Sequence, residues 1–442
     1  MIEVLRERNF RRLFGAQIVA LVGTGLTTVA LALLAYDLAG NQAGAVLGTA
    51  LAIKMVVYVL LAPVSAALVP AERRKAVLIA LDLMRFGVAL VLPFVDAVWQ
   101  VYVLIAVLQS ASACFTPLFQ SVIPQILTEE SDYTRALSLS RLAYDLESLL
   151  SPAIAAALLT AITYHGLFVG TSVGFLFSAL LVLTATFPVA VATAAGGGPY
   201  ARAVRGMRIY LRTPRLRGLL MLNLCAAAGG AMVFVNTVVI VRTLLAGGER
   251  EVAWLLAAFG MGSMSVALLL PRWLDRIPDR RVMLTTALSM TAGLVAGTVY
   301  WWMTDGRPAW IPVAALWFVL GMSYAGLITP GGRLLRRSGS ETDLPFLFAA
   351  QFSLSHVCWL IAYPLAGYVG ATFGIGTALA ALMALSVISV ICAALFWKSG
   401  DPDVLEHRHD DLPPDHPHLK GSHGAQHRHR FMIDELHERW PD

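Results

Sequence analysis

The chain has 442 residues, 57% of them hydrophobic and only 14% charged, with a mean hydropathy of +0.69 and a formal net charge of +5. A soluble domain carries about 25% charged residues. This composition therefore excludes a water-soluble globular protein, and the basic balance has to be read loop by loop as a membrane signal, not as an affinity for nucleic acid.

Crossing roughly 30 Å of hydrocarbon takes about 20 apolar residues in a helix. Twelve runs of that kind are predicted, at residues 14–36, 46–69, 76–95, 98–119, 138–161, 166–187, 218–240, 252–271, 282–303, 310–328, 345–370 and 374–397. Ahead of the first stand Arg6, Arg8, Arg11 and Arg12. The run that follows is long enough to span and has no clear cleavage site, so it reads as a helix and not as a removable leader. The N-terminal segment and the five loops on its side hold 21 Lys and Arg, while the opposite loops hold three, Arg242, Arg250 and Arg307. That bias places the arginine-rich side, and with it both termini, in the cytoplasm.

Ionisable side chains inside such runs are costly to insert and are functional candidates for that reason. Lys54 lies in the second span, roughly 15 Å from its end. Asp82 and Arg85, one turn apart in the third span and about 9 Å from its inner end, read as an ion pair that steadies the bundle. In the fifth span Tyr144, Glu147, Ser148 and Ser151 follow i, i+3, i+4, i+7 spacing and share a polar stripe. Arg141 and Asp145 form an i, i+4 pair at its edge. Glu147, roughly 15 Å deep, is the candidate for holding a cation or a proton; Asp145 is a second candidate and also a partner for Arg141.

Residues 188–216 form the longest inner connection and carry Arg202, Arg205, Arg208 and Arg212 on an amphipathic pattern. They divide a first unit, 1–187, from a second, 217–398, with six spans each. A weak repeat supports the division: Arg74-Lys75-Ala76-Val77-Leu78 matches Arg280-Arg281-Val282-Met283-Leu284. Asp275 and Arg276 precede the second copy and are candidate gating charges; Val69 and Pro70 stand where the first copy would carry them. Met261, Met264 and Met322 read as packing, with Gly260 and Gly262 allowing close helix contact. No phosphate-binding loop occurs, which argues against direct use of ATP.

In the eleventh span Ser353 and His356 are three residues apart on one side, with Tyr363 two turns further along it. Cys358 is about 200° around the helix from His356, so the two cannot line one cavity. The other cysteines, Cys114, Cys225 and Cys392, also fall in apolar runs, without metal-ligand spacing. His356, about 18 Å deep, is either a site residue or a hydrogen-bonded packing histidine. Setting Pro152 against Pro364 places Tyr144 opposite His356.

Residues 399–442 turn polar and hold eight of the ten histidines: His407, His409, His416, His418, His423, His427, His429 and His437. Six of them form three His-x-His pairs, and in an extended chain such a pair presents both imidazoles on one side. Imidazole suits nickel, zinc, copper and cobalt, so the tail reads as a cytoplasmic binder of divalent metal. An expression tag would be an unbroken run, and the segment Phe431–His437 looks ordered.

The loop around Asp275-Arg276 and Arg280-Arg281 resembles the signature inner loop of the major facilitator superfamily. Segments 132–152 and 351–364, together with the His-rich tail, are similar to the nickel-exporting carriers of bacterial nickel-resistance operons, cousins of the siderophore exporters. The resemblance implies an all-α membrane protein of twelve transmembrane helices in two six-helix bundles rocking about a central site. It also implies a monomer in the bacterial cytoplasmic (inner) membrane, with lipid and a divalent metal ion as partners, no bound cofactor and no enzymatic activity.

The expected function is secondary active efflux of Ni2+, with Co2+, Zn2+ or Fe2+ served by the same ligand types. Protons entering are the expected coupling ion. The expected transport site is Glu147, His356, Asp145, Tyr144 and Ser353, with Arg141, Asp82, Arg85, Lys54, Asp275 and Arg276 as charge pairs or gates. An exporter of a siderophore or drug is the alternative, and would rest on Tyr144, Trp359 and Trp317. A non-transporting metal sensor is a third reading, made improbable by a full complement of spans.

Overall fold

A computed structural model describes residues 2–69, 71–120, 122–127, 129–187, 199–274, 276–340, 343–402, 404–408, 426–433, 436–437 and 439–440. The first half runs through α1 (Arg8–Ala39), α2 (Ala43–Leu68), α3 (Arg74–Val91), α4 (Val98–Gln120), the short α5 (Ile123–Ile126), α6 (Glu130–Leu159) and α7 (Tyr164–Thr184). α8 (Pro199–Arg212) lies in the predicted connection. The second half comprises α9 (Pro214–Val239), α10 (Glu249–Leu274), α11 (Asp279–Met303), α12 (Trp310–Ile328), the short α13 (Gly331–Ser338), α14 (Leu344–Phe373) and α15 (Ile375–Phe396). Among the described residues, twelve helices are thus long, one for each predicted span.

Helix ends follow local chemistry. The Glu7 carboxylate accepts from the Phe10 backbone N–H and caps α1. Pro214 and Pro345 sit in the first turns of α9 and α14, where a missing N–H does no harm. Gly374, at φ +89°, makes the tight turn from α14 to α15. α6 begins eight residues before the predicted fifth span, because its first two turns are polar and escape a search for apolar runs.

Within the first half α1 packs on α7, α2 on α4 and α3 on α7; within the second, α9 packs on α15, and α12 on both α10 and α11. The halves meet where α2 runs along α14 and α6 along α10. The α2–α14 seam is built on glycine: a Cβ at Gly48 would stand 2.8 Å from the Tyr363 carbonyl, and one at Gly367 would overlap the Gly44 carbonyl. α10 and α12 approach as closely at Gly262 and Gly321, whose added Cβ atoms would overlap the Phe318 and Phe259 carbonyls.

The charge pair of α3 is a packing element of the first half. Arg85 donates to Asp82 one turn away, and both side chains are buried, at 4% and 0% exposure. Ser178 of α7 donates to the other Asp82 oxygen at 2.8 Å. The guanidinium lies between two rings, 4.1 Å from Phe115 and 4.6 Å from Phe175. The alignment that sets Arg74 against Arg280 sets Arg85 against Thr291. In the second half that equivalent seam is neutral: Thr291 and Ser386 hydroxyls lie 2.7 Å apart, with Cys225 Sγ 3.3 Å from Ser386.

At the arginine-rich end, Asp279 at the start of α11 gathers charge among the described residues. Arg333 and Arg337 of α13 reach it at 3.3 and 3.0 Å. Arg276 is exposed, and Asp275 lies outside the described residues. α8 is clamped to α14: Arg205 pairs with Asp343 at 2.7 Å, the Tyr210 hydroxyl donates to Gln351, and Gly206 lets the backbones touch at Phe346.

The tail adds the one element an all-helical expectation omits, an antiparallel ladder of β1 (Val404–Arg408) and β2 (Gln426–Arg430). The chain then packs onto the arginine-rich end of the second half. Phe431 and Ile433 are 3% and 2% exposed within the main core, and Phe431 meets Trp440 edge-on at 5.1 Å. Arg215, 1% exposed, anchors this dock: it pairs with Asp401 at 3.2 Å and lies 5.4 Å from the Trp440 ring. Asp401 also accepts from Trp397 Nε1 at 2.9 Å.

Candidate functional site

Three of the predicted membrane-embedded groups, Lys54, Glu147 and His356, lie on α2 and α6 of the first half and on α14 of the second. Lys54 is within electrostatic reach of both Glu147 and His356. Glu147 Oε1 accepts from Ser151 Oγ at 3.3 Å, one turn along the polar stripe of α6. Gly25 of α1 is what leaves room for that stripe, since a Cβ there would overlap Ser151 and stand 2.9 Å from the Glu147 carboxylate.

His356 is held by its own helix and by aromatic faces. Its ring lies 5.0 Å from Tyr58 of α2, 13° from parallel, and 4.2 Å from Phe352. Nδ1 lies 2.6 Å from the Phe352 carbonyl. A carbonyl only accepts, so Nδ1 carries the proton and donates, which leaves Nε2 as the lone-pair nitrogen. A backbone carbonyl in this role is a common way of fixing the tautomer of a ligating histidine. Lys54 Nζ stands 5.8 Å from the Tyr58 ring centroid, so ammonium, phenol and imidazole form one file across the seam.

The predicted division of α14 into faces is what the structure has. His356 faces Tyr58, while Cys358 is buried on another side with its Sγ 3.7 Å from the Leu220 carbonyl of α9. Ser353 is half-buried on α14, three residues before His356. Tyr363 stacks on Trp359 at 4.9 Å, and Trp359 continues into Phe234 and Tyr324 at 6.0 and 6.2 Å. Trp317 packs inside the second half, where its Nε1 donates to Thr237 Oγ1 at 2.8 Å. The side chains of Arg141, Tyr144 and Asp145 lie outside the described residues, so their predicted places in the stripe are fixed only by the helical backbone of α6.

Sequence reasoning listed Lys54 among the gates and missed Tyr58 and Phe352. Their signal was present: Lys54 and Tyr58 are i, i+4, as are Phe352 and His356. Among the described residues, no three His, Cys, Asp or Glu side chains stand close enough to hold a metal on their own. Glu147 Oε and His356 Nε2 are the candidate ligand atoms, one on each half.

In the tail, the ladder sets His407 directly opposite His427 and Leu405 opposite His429. The rings of His429 and His437 lie 5.1 Å apart, and His437 is 4% exposed beneath Phe431 at 4.7 Å. His409, His416, His418 and His423 fall outside the described residues.

Comparison with known proteins follows this architecture. The family model described as Major Facilitator Superfamily matches residues 13–246 and 219–421. No curated protein sequence matches the chain significantly. Among solved structures, a D-xylose–proton symporter superposes with a TM-score of 0.64 at 13% identity, covering 89% of this chain and 97% of the other. The nucleoside transporter NupG gives 0.64 at 12%, covering 87% and 98%. A bacterial homologue of the human lysosomal transporter Spinster, inward-facing and occupied, gives 0.64 at 11%, covering 88% and 96%. At these identities the likeness is one of fold.

Proposed function

This chain belongs to the major facilitator superfamily and is a multi-pass membrane transporter, not an enzyme, and we propose that its cargo is a divalent metal cation, Ni2+ foremost, carried out of the cytoplasm in exchange for protons. The observation that carries the reading is that Lys54 lies within electrostatic reach of both Glu147 of the first half and His356 of the second, with Nδ1 of His356 already committed to the Phe352 carbonyl. A carboxylate oxygen and a neutral imidazole nitrogen are ligands that Ni2+, Co2+, Zn2+ and Fe2+ accept. Because each half supplies one of them, an ion bound to both bridges the seam about which such halves rock.

Lys54 sets the terms of exchange. Its ammonium is within electrostatic reach of Glu147, so cargo at the carboxylate competes with the charge of Lys54. A proton on Glu147 and a metal on Glu147 likewise exclude one another, which is the chemical basis of antiport. Moving two positive charges out against an inside-negative potential costs about 4.6 kcal/mol per 100 mV, and proton entry offsets it. Asp145, Tyr144 and Ser353 are the further candidates to complete the coordination, and water supplies the remaining positions.

The tail, at the end where basic residues crowd, is proposed to be cytoplasmic and to gather metal beside the mouth of the carrier. His407 opposite His427, and His429 against His437, are its candidate ligand pairs. The cell is proposed to be bacterial, the membrane its cytoplasmic one, and the carrier a monomer.

The test is ion uptake into inverted membrane vesicles energised with a proton gradient, with Ni2+, Co2+, Zn2+ and Fe2+ compared side by side. Uptake of at least one cation that collapses with the gradient is the expected result; uptake of none overturns the metal reading. A specific observation favours an organic solute as second reading: the Glu147 carboxylate already has the charge of Lys54 within reach, and Tyr58, Phe352, Trp359 and Tyr363 offer aromatic faces. In that case drug or siderophore tolerance, and not metal tolerance, rises in cells expressing the protein.

A further inference from the structure

At the end opposite the basic-residue cluster, Arg242 stands between the two halves. It belongs to a π-helical turn, Ile240–Leu244, that prolongs α9; such turns are rare and occur mostly at functional positions. Its guanidinium carbon stands 5.7 Å from the Tyr36 ring of α1, in the other half. In its own half it pairs with Glu249 at the start of α10, at 3.8 Å. Beside Tyr36, Asp37 accepts a 2.6 Å hydrogen bond from the Tyr164 hydroxyl of α7. Tyr164 is within electrostatic reach of Asp37, Glu249 and Arg242 alike, so these groups form one cluster.

The turn that presents Arg242 is built, not frayed. Gly247 N–H donates to the Val241 carbonyl at 2.9 Å and Gly248 N–H to Glu251 Oε2 at 2.6 Å. Ala246 is held at φ +51°, a region that non-glycine residues seldom occupy. Within the second half the guanidinium meets Glu249, while Arg242 Nε is buried without a hydrogen-bond partner. What the turn achieves is to set a cation on the other half.

We propose that Arg242 is the latch that keeps this end of the carrier closed. The charges explain why a latch is needed. Asp37 and Glu249 are carboxylates on opposite halves, and with the guanidinium removed they repel across the seam. With it in place, repulsion becomes a shared attraction, and the Tyr36 face adds a cation–aromatic contact. When the halves part at this end, Glu249 travels with Arg242, so the contacts broken are those to the first half. The inference rests on the chain being a carrier with two rocking halves and not on the identity of its cargo.

Hydrogen–deuterium exchange of the full-length protein in lipid nanodiscs tests it without any cargo. In Arg242→Gln, peptides on both sides of the seam, around residues 36–50 and 360–374, should exchange about three- to tenfold faster, the range that losing one cation–aromatic contact spans. Peptides around 331–340, at the opposite end, should be unchanged. Adding Asp37→Asn and Glu249→Gln to Arg242→Gln removes the repulsion and should restore most of the protection. Unchanged exchange at the seam, or a uniform rise along the whole chain, overturns the proposal; a wild type that carries no metal leaves it standing and strikes only the proposed cargo.

Discussion

His356 of the second half lies flat against Tyr58 of the first, ring centroids 5.0 Å apart and planes 13° from parallel. Lys54 Nζ stands 5.8 Å from the Tyr58 ring centroid, so Lys54 and His356 both depend on the α2–α14 seam for their places. Anything that parts the seam takes the site apart, which is what an alternating carrier must do once per cycle.

His356→Ala and Glu147→Gln should each lower metal flux at least about tenfold, the effect of about 1.4 kcal/mol, while the protein remains in the membrane. Glu147→Gln keeps the size of the side chain but carries neither charge nor exchangeable proton. Vesicle flux with matched protein amounts checks this, and near-normal transport by both variants would remove them from the site.

Lys54→Gln frees Glu147 of its resident counter-charge. Cargo then meets no competitor at the carboxylate, and the expected outcome is tighter metal binding with slower turnover. Equilibrium binding to purified protein, set beside vesicle flux, separates the two; unchanged affinity would show that Lys54 does not compete.

Asp82→Asn should destabilise the protein by about 3–5 kcal/mol, because it leaves the buried Arg85 guanidinium uncompensated between two rings. Replacing both residues with leucine should recover much of that loss. Thermal unfolding of the purified protein measures it. An Asp82→Asn variant as stable as wild type, yet inactive, would move this pair from packing to transport.

Gly48→Val places its first side-chain carbon 2.8 Å from the Tyr363 carbonyl. The seam must then open at the level of Gly44 and Gly367, and faster hydrogen exchange of residues 360–374 is the expected signature. Exchange identical to wild type would mean that the glycines are not what lets the halves close.

Truncation after Lys398 should lower metal tolerance in part, since capture weakens while the transmembrane route remains. It also strips Asp401 and Trp440 from Arg215. Complete loss of transport by a stably expressed truncation would assign the tail a larger role. Its side of the membrane is checked by labelling Ser422→Cys with an impermeant thiol reagent, which should fail on intact cells.

Hydrophobic runs and the basic-residue bias made the twelve spans, their grouping and the amphipathic α8 legible, because a bilayer constrains length and polarity more tightly than any local propensity does. Lys54, Glu147 and His356 stood out for the same reason. The stack of Tyr58 on His356 did not, because it depends on how α2 meets α14, and glycines at 44, 48 and 367 set that approach. Asp279 was hidden behind the more familiar Asp275-Arg276 pattern; its first-turn position on α11 was the available clue. Arg242 read as a loop charge, since nothing in a sequence marks a π-turn. The ladder between β1 and β2 was invisible because polar residues leave no alternation of hydrophobicity to read.

Asp82 and Arg85 also bear on the order of synthesis. Ser178, which completes the Asp82 carboxylate, is translated 96 residues later. Until α7 leaves the ribosome, α3 has to reside in or beside the bilayer without it. Two charges one turn apart on the same helix neutralise each other from the moment that helix forms, whereas a lone aspartate would have to wait for a distant partner. The second half carries hydroxyls at the equivalent seam, and its α11 enters the membrane under no such constraint.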